Sequence, residues 1–208
     1  MASASGLRAV TRSISVLALL FASLFAPRGA VAQAAPLTGL DAYVQAAMKD
    51  WEVPGLALAV VRGDSVIYAR GYGVADLATG APVDENTLFA IASTSKAFTV
   101  AALAMLVDDG KVRWDDPVAK YLPEFELKDP WVTGHLTVRD LLTHRVGIAR
   151  EDNLWLSAPF NRDEILRRAR YLDQVDEFRA RYGYNNLMFI AAGEVAGRAS
   201  GKGWDDFV

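Results

Sequence analysis

Apolar residues recur at helical spacing at Leu40, Tyr43, Val44, Ala47 and Met48, which predicts a helix over 37–51 capped by Thr38. Val53-Pro54-Gly55 stops it. Two β-rich apolar runs, 56–61 and 66–72, flank the polar turn Arg62-Gly63-Asp64-Ser65 and predict an antiparallel hairpin. Residues 73–85 are rich in Gly, Asp, Thr and Pro and read as loop, and 87–91 as a short extended approach. From Ala97 to Val107 apolar residues fill nearly every position. Such a helix, ending at Asp108-Asp109-Gly110, is expected to be buried on nearly every side in the centre of a domain.

The periodicity then shortens. Short helices are predicted over 115–122, over 137–142 with Thr137 as N-cap, and over 162–171 with Asn161 as N-cap. After a polar break at 183–186, residues 187–197 are again helical, and 203–208 look like the start of an amphipathic helix. Residues 111–182 thus read as a mainly helical subdomain. The arginines between Arg162 and Arg181 read most simply as a solvated helix face. No internal repeat stands out.

At the N-terminus Arg8 and Arg12 precede an apolar stretch over 14–26, and Ala30-Val31-Ala32 supplies small residues for cleavage. Residues 1–32 are therefore expected to be a signal peptide, with 33–208 exported to the periplasm or secreted. An uncleaved anchor helix is the alternative, and the stretch is short for a membrane span. No later segment is long and apolar enough to cross a bilayer.

Composition narrows the function. The 208 residues are 52% hydrophobic and 23% charged, enough apolar material for a sizeable core. A net charge of −3 without a basic run gives no reason to expect nucleic acid. The chain has no cysteine, which removes disulfides, thiolate zinc sites, thiol nucleophiles and a lipid-modified cysteine anchor. His135 and His144 lack zincin spacing, and the chain contains no G-x-S-x-G elbow.

The candidate chemistry lies in Ser93-Thr94-Ser95-Lys96. Residues three apart share a helix face, so the Ser93 hydroxyl and the Lys96 ammonium can point into one site. A serine needs a neighbouring base to become a nucleophile, and a lysine can serve. At a helix N-terminus, backbone N–H groups favour developing negative charge. Chance supplies S-x-x-K roughly once in a few hundred residues, so Ser93 taken alone reads more simply as a helix N-cap with Lys96 solvated.

The residues around it carry a resemblance. Phe89-Ala90-Ile91-Ala92-Ser93-Thr94-Ser95-Lys96, the element Asp115-Asp116-Pro117-Val118 and the loop Thr143-His144-Arg145-Val146-Gly147-Ile148 are similar to the serine β-lactamase / D-alanyl-D-alanine carboxypeptidase superfamily. They most resemble its class C β-lactamase branch, which includes esterases. Val146 stands where that loop usually has Ser, a departure expected to affect the loop more than the chemistry. Tyr184-Asn185-Asn186 fits the branch's Y-x-N motif.

The resemblance implies a β-lactamase/transpeptidase-like α/β (α+β) fold, with an antiparallel sheet flanked by helices and a helical subdomain. It implies acyl transfer, with Ser93 as nucleophile, Lys96 as its partner, Tyr184 as general acid/base and Asn186 as a polar ligand for substrate and Lys96. The alternatives are a core tyrosine at Tyr184, an N-cap at Asn186 and a hydrogen-bonded structural role for His144. No metal or organic cofactor is implied. The substrate would be a small molecule or peptide: a β-lactam, a D-Ala-D-Ala-type peptide or a small ester. A non-catalytic penicillin-binding or peptidoglycan-sensing module is the competing reading. No nucleic-acid partner is implied, nor a membrane partner after signal cleavage, and oligomeric state stays open. The family's third motif, [KH]-[ST]-G, is absent, so the sequence is expected to be truncated, with C-terminal strands and the second oxyanion donor missing and the fragment inactive alone.

Overall fold

The computed structural model describes residues 37–208, so the expected signal peptide and cleavage point lie outside the described residues. The chain divides into two compact units, one ending at Leu88 and the other spanning Phe89–Val208.

In the first unit, helix α1 (Leu40–Asp50) precedes strands β1 (Gly55–Arg62) and β2 (Ser65–Gly73). The residue at the helix entrance is Gly39 at φ 87, not the expected Thr38. A left-handed entrance suits glycine, which has no Cβ to clash. The strands pair antiparallel from Gly55↔Gly73 to Arg62↔Ser65, with a register shift between Val60 and Val61. The ladder takes in one residue more at each end than the apolar runs predict, so Gly63-Asp64 alone forms the turn. Asp41 ties α1 to β2, accepting hydrogen bonds from Tyr68 and Tyr72 at 2.7 Å each and pairing with Arg70 at 2.8 Å.

The second unit is helical among its described residues. A 3-10 turn (Ala92–Thr94) runs into helix α2 (Ser95–Asp108). Short helices follow: α3 (Pro130–His135), α4 (Val138–Leu142), α5 (Asn153–Leu156) and α6 (Arg162–Arg168). Then come α7 (Asn186–Ser200) and α8 (Trp204–Phe207). The core centres on α2 and α7: Leu103, Leu106, Met188, Ala191, Ala192 and Val195 are fully buried. Small residues along α7 allow the two helices to approach closely.

Three expectations change. Helix α2 is not covered all round: Thr99, Ala102, Leu103 and Leu106 are buried, whereas Phe98 and Met105 are exposed. The predicted helix over 115–122 shrinks to a 3-10 turn, Val118–Lys120. Asp116 competes for the backbone there, accepting from the Arg113 N–H at 3.0 Å, Lys120 at 2.8 Å and the Tyr121 hydroxyl at 2.6 Å. Nor are the later arginines simply a solvated face. Arg162 forks onto Asp205 at 3.0 and 3.1 Å, Arg168 pairs with Glu164 at 2.6 Å, and Arg179 reaches Asp140.

That last pair sits where two loops meet. Thr137 and Asp140 form a capping box at the start of α4. Arg179 donates to Asp140 Oδ1 at 2.8 Å and Oδ2 at 2.6 Å, and to the His135 carbonyl at 3.2 Å. Burial pushes the Asp140 carboxyl up, but the bonds from Arg179 and Thr137 outweigh it and hold it below the usual carboxylate range. The contribution to stability is therefore complete above about pH 4 and lost as pH falls through the lower folded-state value. Asp140→Asn is expected to cost about 1–3 kcal/mol at pH 7, because Arg179 is half exposed and loses a charged acceptor. Urea unfolding would measure it. A variant as stable as the wild type at pH 7, with an unchanged acid limb, would contradict this account.

Candidate active site

Ser93 lies in the 3-10 turn that opens α2, directly after Ala92 at φ 45. A side-chain-bearing residue in the left-handed region costs of order 1 kcal/mol and persists only when its surroundings fix it. The turn presents Ser93 and Lys96 on one side, and the Lys96 ammonium donates to Ser93 Oγ at 3.2 Å. From the other end of the unit's sequence, the Tyr184 hydroxyl meets Ser93 Oγ at 2.6 Å. Lys96 also donates to Asn186 Oδ1 at 2.7 Å. The four residues singled out from sequence thus form one hydrogen-bonded cluster.

Helix α7 explains why Asn186 is available. Its N-cap is Asn185, whose side-chain oxygen accepts the Met188 N–H at 3.3 Å. Asn186 is the first helical residue, so its amide is free to bridge Lys96 and Asp152, donating to Asp152 Oδ1 at 3.0 Å. Sequence reasoning missed Asp152 and Arg150. Arg150 donates to Asp152 Oδ2 at 2.6 Å, and its guanidinium lies 5.2 Å from the Tyr184 ring centre. Trp155 donates to Asp152 Oδ1 at 3.0 Å. Burial pushes the Asp152 carboxyl up, yet the bonds from Asn186, Trp155 and Arg150 win and keep it below its ordinary value. No spacing links residues 150–152 to S-x-x-K or Y-x-N, so only the fold brings them there.

Tyr184 is electrostatically biased. The Lys96 ammonium first, and the Ser93 hydroxyl second, hold its phenol below the ordinary tyrosine value against the opposing effect of burial. Opposite charge nearby favours the phenolate, which is the form that can take a proton.

His144 fixes that tyrosine from behind. Its carbonyl accepts the Gly183 N–H at 2.7 Å, and its Nδ1 accepts the Asn185 N–H at 3.1 Å. Its ring packs on the Tyr184 ring with centres 4.5 Å apart. The two bonds grip the chain on either side of Tyr184, with His144 itself at φ 56. An Nδ1 that accepts an N–H is unprotonated, and burial followed by the Lys96 charge lowers the imidazole pKa accordingly. The expected hydrogen-bonded histidine is present. The loop beyond it needs Gly147 at φ 82, where a Cβ would meet the Asp176 carbonyl oxygen at 2.4 Å. Val146, which replaces the usual Ser, is buried in the core.

Comparison with known proteins identifies the family and the fold. A family model described as Beta-lactamase matches residues 40–208, and the chain belongs to that family. It is 36% identical over 177 residues to the unguisins hydrolase ungD of Aspergillus violaceofuscus, covering 80% of this chain and 31% of that protein. It is 36% identical over 114 residues to the esterase EstB of Burkholderia gladioli, covering 52% of this chain and 28% of that one. Among solved structures, the octameric penicillin-binding protein homologue from Pyrococcus abyssi superposes with a TM-score of 0.71 at 26% identity. That match covers 80% of this chain and 40% of the other. The D-amino acid amidase from Ochrobactrum anthropi SV3 gives 0.66 at 26% identity, covering 81% of this chain and 47% of the other. The fold is thus the β-lactamase/transpeptidase-like one, shared with hydrolases that include an esterase and an amidase. The chain spans about a third of the length of these curated relatives.

Replacing His144 tests the grip on Tyr184. His144→Ala leaves the buried Asn185 N–H without its acceptor, a loss expected to cost about 1–3 kcal/mol. His144→Asn, whose side-chain oxygen can accept the same N–H, should recover part of that loss. Chemical denaturation would show the order wild type, Asn, Ala. Equal stability of all three would refute the grip.

Proposed function

We propose that the full-length protein is an exported serine hydrolase that forms an acyl-enzyme at Ser93 and hydrolyses an amide or ester. The observation that carries this reading is the contact of Ser93 Oγ with both the Tyr184 hydroxyl at 2.6 Å and the Lys96 ammonium at 3.2 Å. A serine acting only as a helix cap has no need of two proton-transfer groups. The family's hydrolase, esterase and amidase relatives support the reaction class.

In this mechanism the Ser93 oxygen attacks the substrate carbonyl carbon as its proton passes to Tyr184. The charge of Lys96 stabilises the tyrosinate that receives it. The Ser93 backbone N–H is one donor to the oxyanion. Collapse of the tetrahedral intermediate breaks the C–N or C–O bond, and Tyr184 returns its proton to the leaving group. Water then attacks the acyl-serine by the same proton path and releases the acid. Asn186 orients Lys96 while held by Asp152, and its amide lies where a substrate carbonyl can meet it. The leader-like sequence pattern of the N-terminus supports export.

In the full-length protein Ser93→Ala should abolish both the initial burst and turnover of an activated ester, with stopped-flow and intact mass as readouts. Turnover retained by that variant would sink the proposal. One equivalent of product followed by arrest would mark a sensor rather than a hydrolase. Tyr184→Phe should slow acylation by roughly 10²–10⁴-fold. The acylation rate should rise with pH through a value below 10, and in Lys96→Met that limb should be slower and lie at higher pH. A limb that does not move with Lys96 would remove the lysine from this role.

A further inference from the structure

A cavity of about 530 Å³ adjoins the cluster, with Ser93, Lys96 and Asn186 in its lining. Ligand sites typically run about 300–1,000 Å³. Its large apolar side chains come from three helices: Trp155 and Leu156 on α5, Phe189 and Ile190 on α7, and Trp204 on α8. Ser95, Thr99, Arg162 and Glu194 also line the cavity, and of these Thr99 and Arg162 are hydrogen-bonded. The Trp204 ring N–H donates to Thr99 Oγ1 at 3.1 Å, which pins the ring. Arg162 is forked onto Asp205 and stands 3.9 Å from Glu194. Beyond the catalytic cluster, then, the cavity offers contact area and few unmet polar demands.

Resting on the acyl-enzyme reading, we propose that this cavity binds the acyl side of the substrate and selects donors with a large apolar group, an aromatic ring or a medium-length alkyl chain, next to the scissile carbonyl. An acyl group bonded to Ser93 Oγ has to leave that oxygen through the surrounding space, and this cavity is apolar and next to it. A cavity of about 150 Å³ already accommodates a benzene ring, so this one has room for more. Leu156 is two-thirds exposed on the rim, where an alkyl chain would cover it. Against the apolar stretch of wall formed by Trp155, Leu156, Phe189, Ile190 and Trp204 a charged acyl group would lose hydration without gaining a partner, which favours an uncharged one.

The test uses the full-length protein and a series of p-nitrophenyl esters from acetate to decanoate. The expected result is a kcat/KM that climbs about threefold per methylene and levels once the cavity is full. Ile190→Trp, which narrows the cavity, should lower the octanoate-to-acetate ratio at least tenfold. Leu156→Trp, on the exposed rim where a larger side chain displaces no core residue, should lower it in the same direction. A flat chain-length profile, or a ratio untouched by both variants, overturns the inference. Labelling by a small fluorophosphonate separates the two levels. Labelling of Ser93 with a flat profile defeats only the acyl-pocket inference, whereas no labelling defeats the acyl-enzyme reading on which it rests.

Discussion

A single buried carboxylate, Asp140, organises the loops on which the candidate site depends. It closes the capping box of α4 and receives both arms of the Arg179 guanidinium. Arg179 in turn lies at φ 66, and its N–H donates to the Arg145 carbonyl at 2.7 Å. The two segments, one running through His144 and the other towards Tyr184, are thereby laid side by side. The bond from Gly183 to His144 continues the same alignment. Tyr184 reaches Ser93 because the chain before it has been held at several points, each inexpensive alone. Charge buried with good partners serves position here more than net stability.

The site combines two kinds of support. Ser93 and Lys96 ride on α2, whose inner face is locked into the core by Leu103 and Leu106. Tyr184 and Asn186 stand where a loop becomes α7, a point fixed by the Asn185 cap. Lys96 joins the halves by bonding to both Ser93 and Asn186. Asp152 and Arg150 then form an outer layer of fixed charge. Such a layer keeps the inner groups within the narrow tolerances that proton transfer demands.

The sequence made the chemistry more legible than the scaffolding. Ser93, Lys96, Tyr184 and Asn186 were readable because their motifs are short and local, and each motif sits at the start of a strongly apolar helix. The hairpin was equally clear from two β-rich runs and a turn. The layer of Asp152 and Arg150 was not, and His144 was legible only as a hydrogen-bonded residue without its partner, since these contacts span some 30–40 residues that no local pattern encodes. Helix 115–122 failed because Asp116 captures the backbone and neighbouring side chains, a competition that periodicity ignores. The continuous apolar run of α2 predicted burial on all sides, but it could not say which face packs within the unit. The row of arginines does face solvent, but its pattern does not show that Arg162 and Arg179 are held by Asp205 and Asp140.

Two side-chain-bearing residues, Ala92 and His144, occupy the left-handed region beside functional atoms. Their neighbours can drift as long as volume and polarity are kept, but these two positions answer to a backbone rule. β-Branched replacements at residue 92 would meet a steep barrier whatever their chemistry, leaving a narrow alphabet of small residues. The immediate surroundings of Ser93 should therefore vary slowly during divergence for conformational reasons, while the cavity walls on α5 and α7 stay free to change. That division leaves the cavity's shape open to change while the backbone at Ser93 stays where it is.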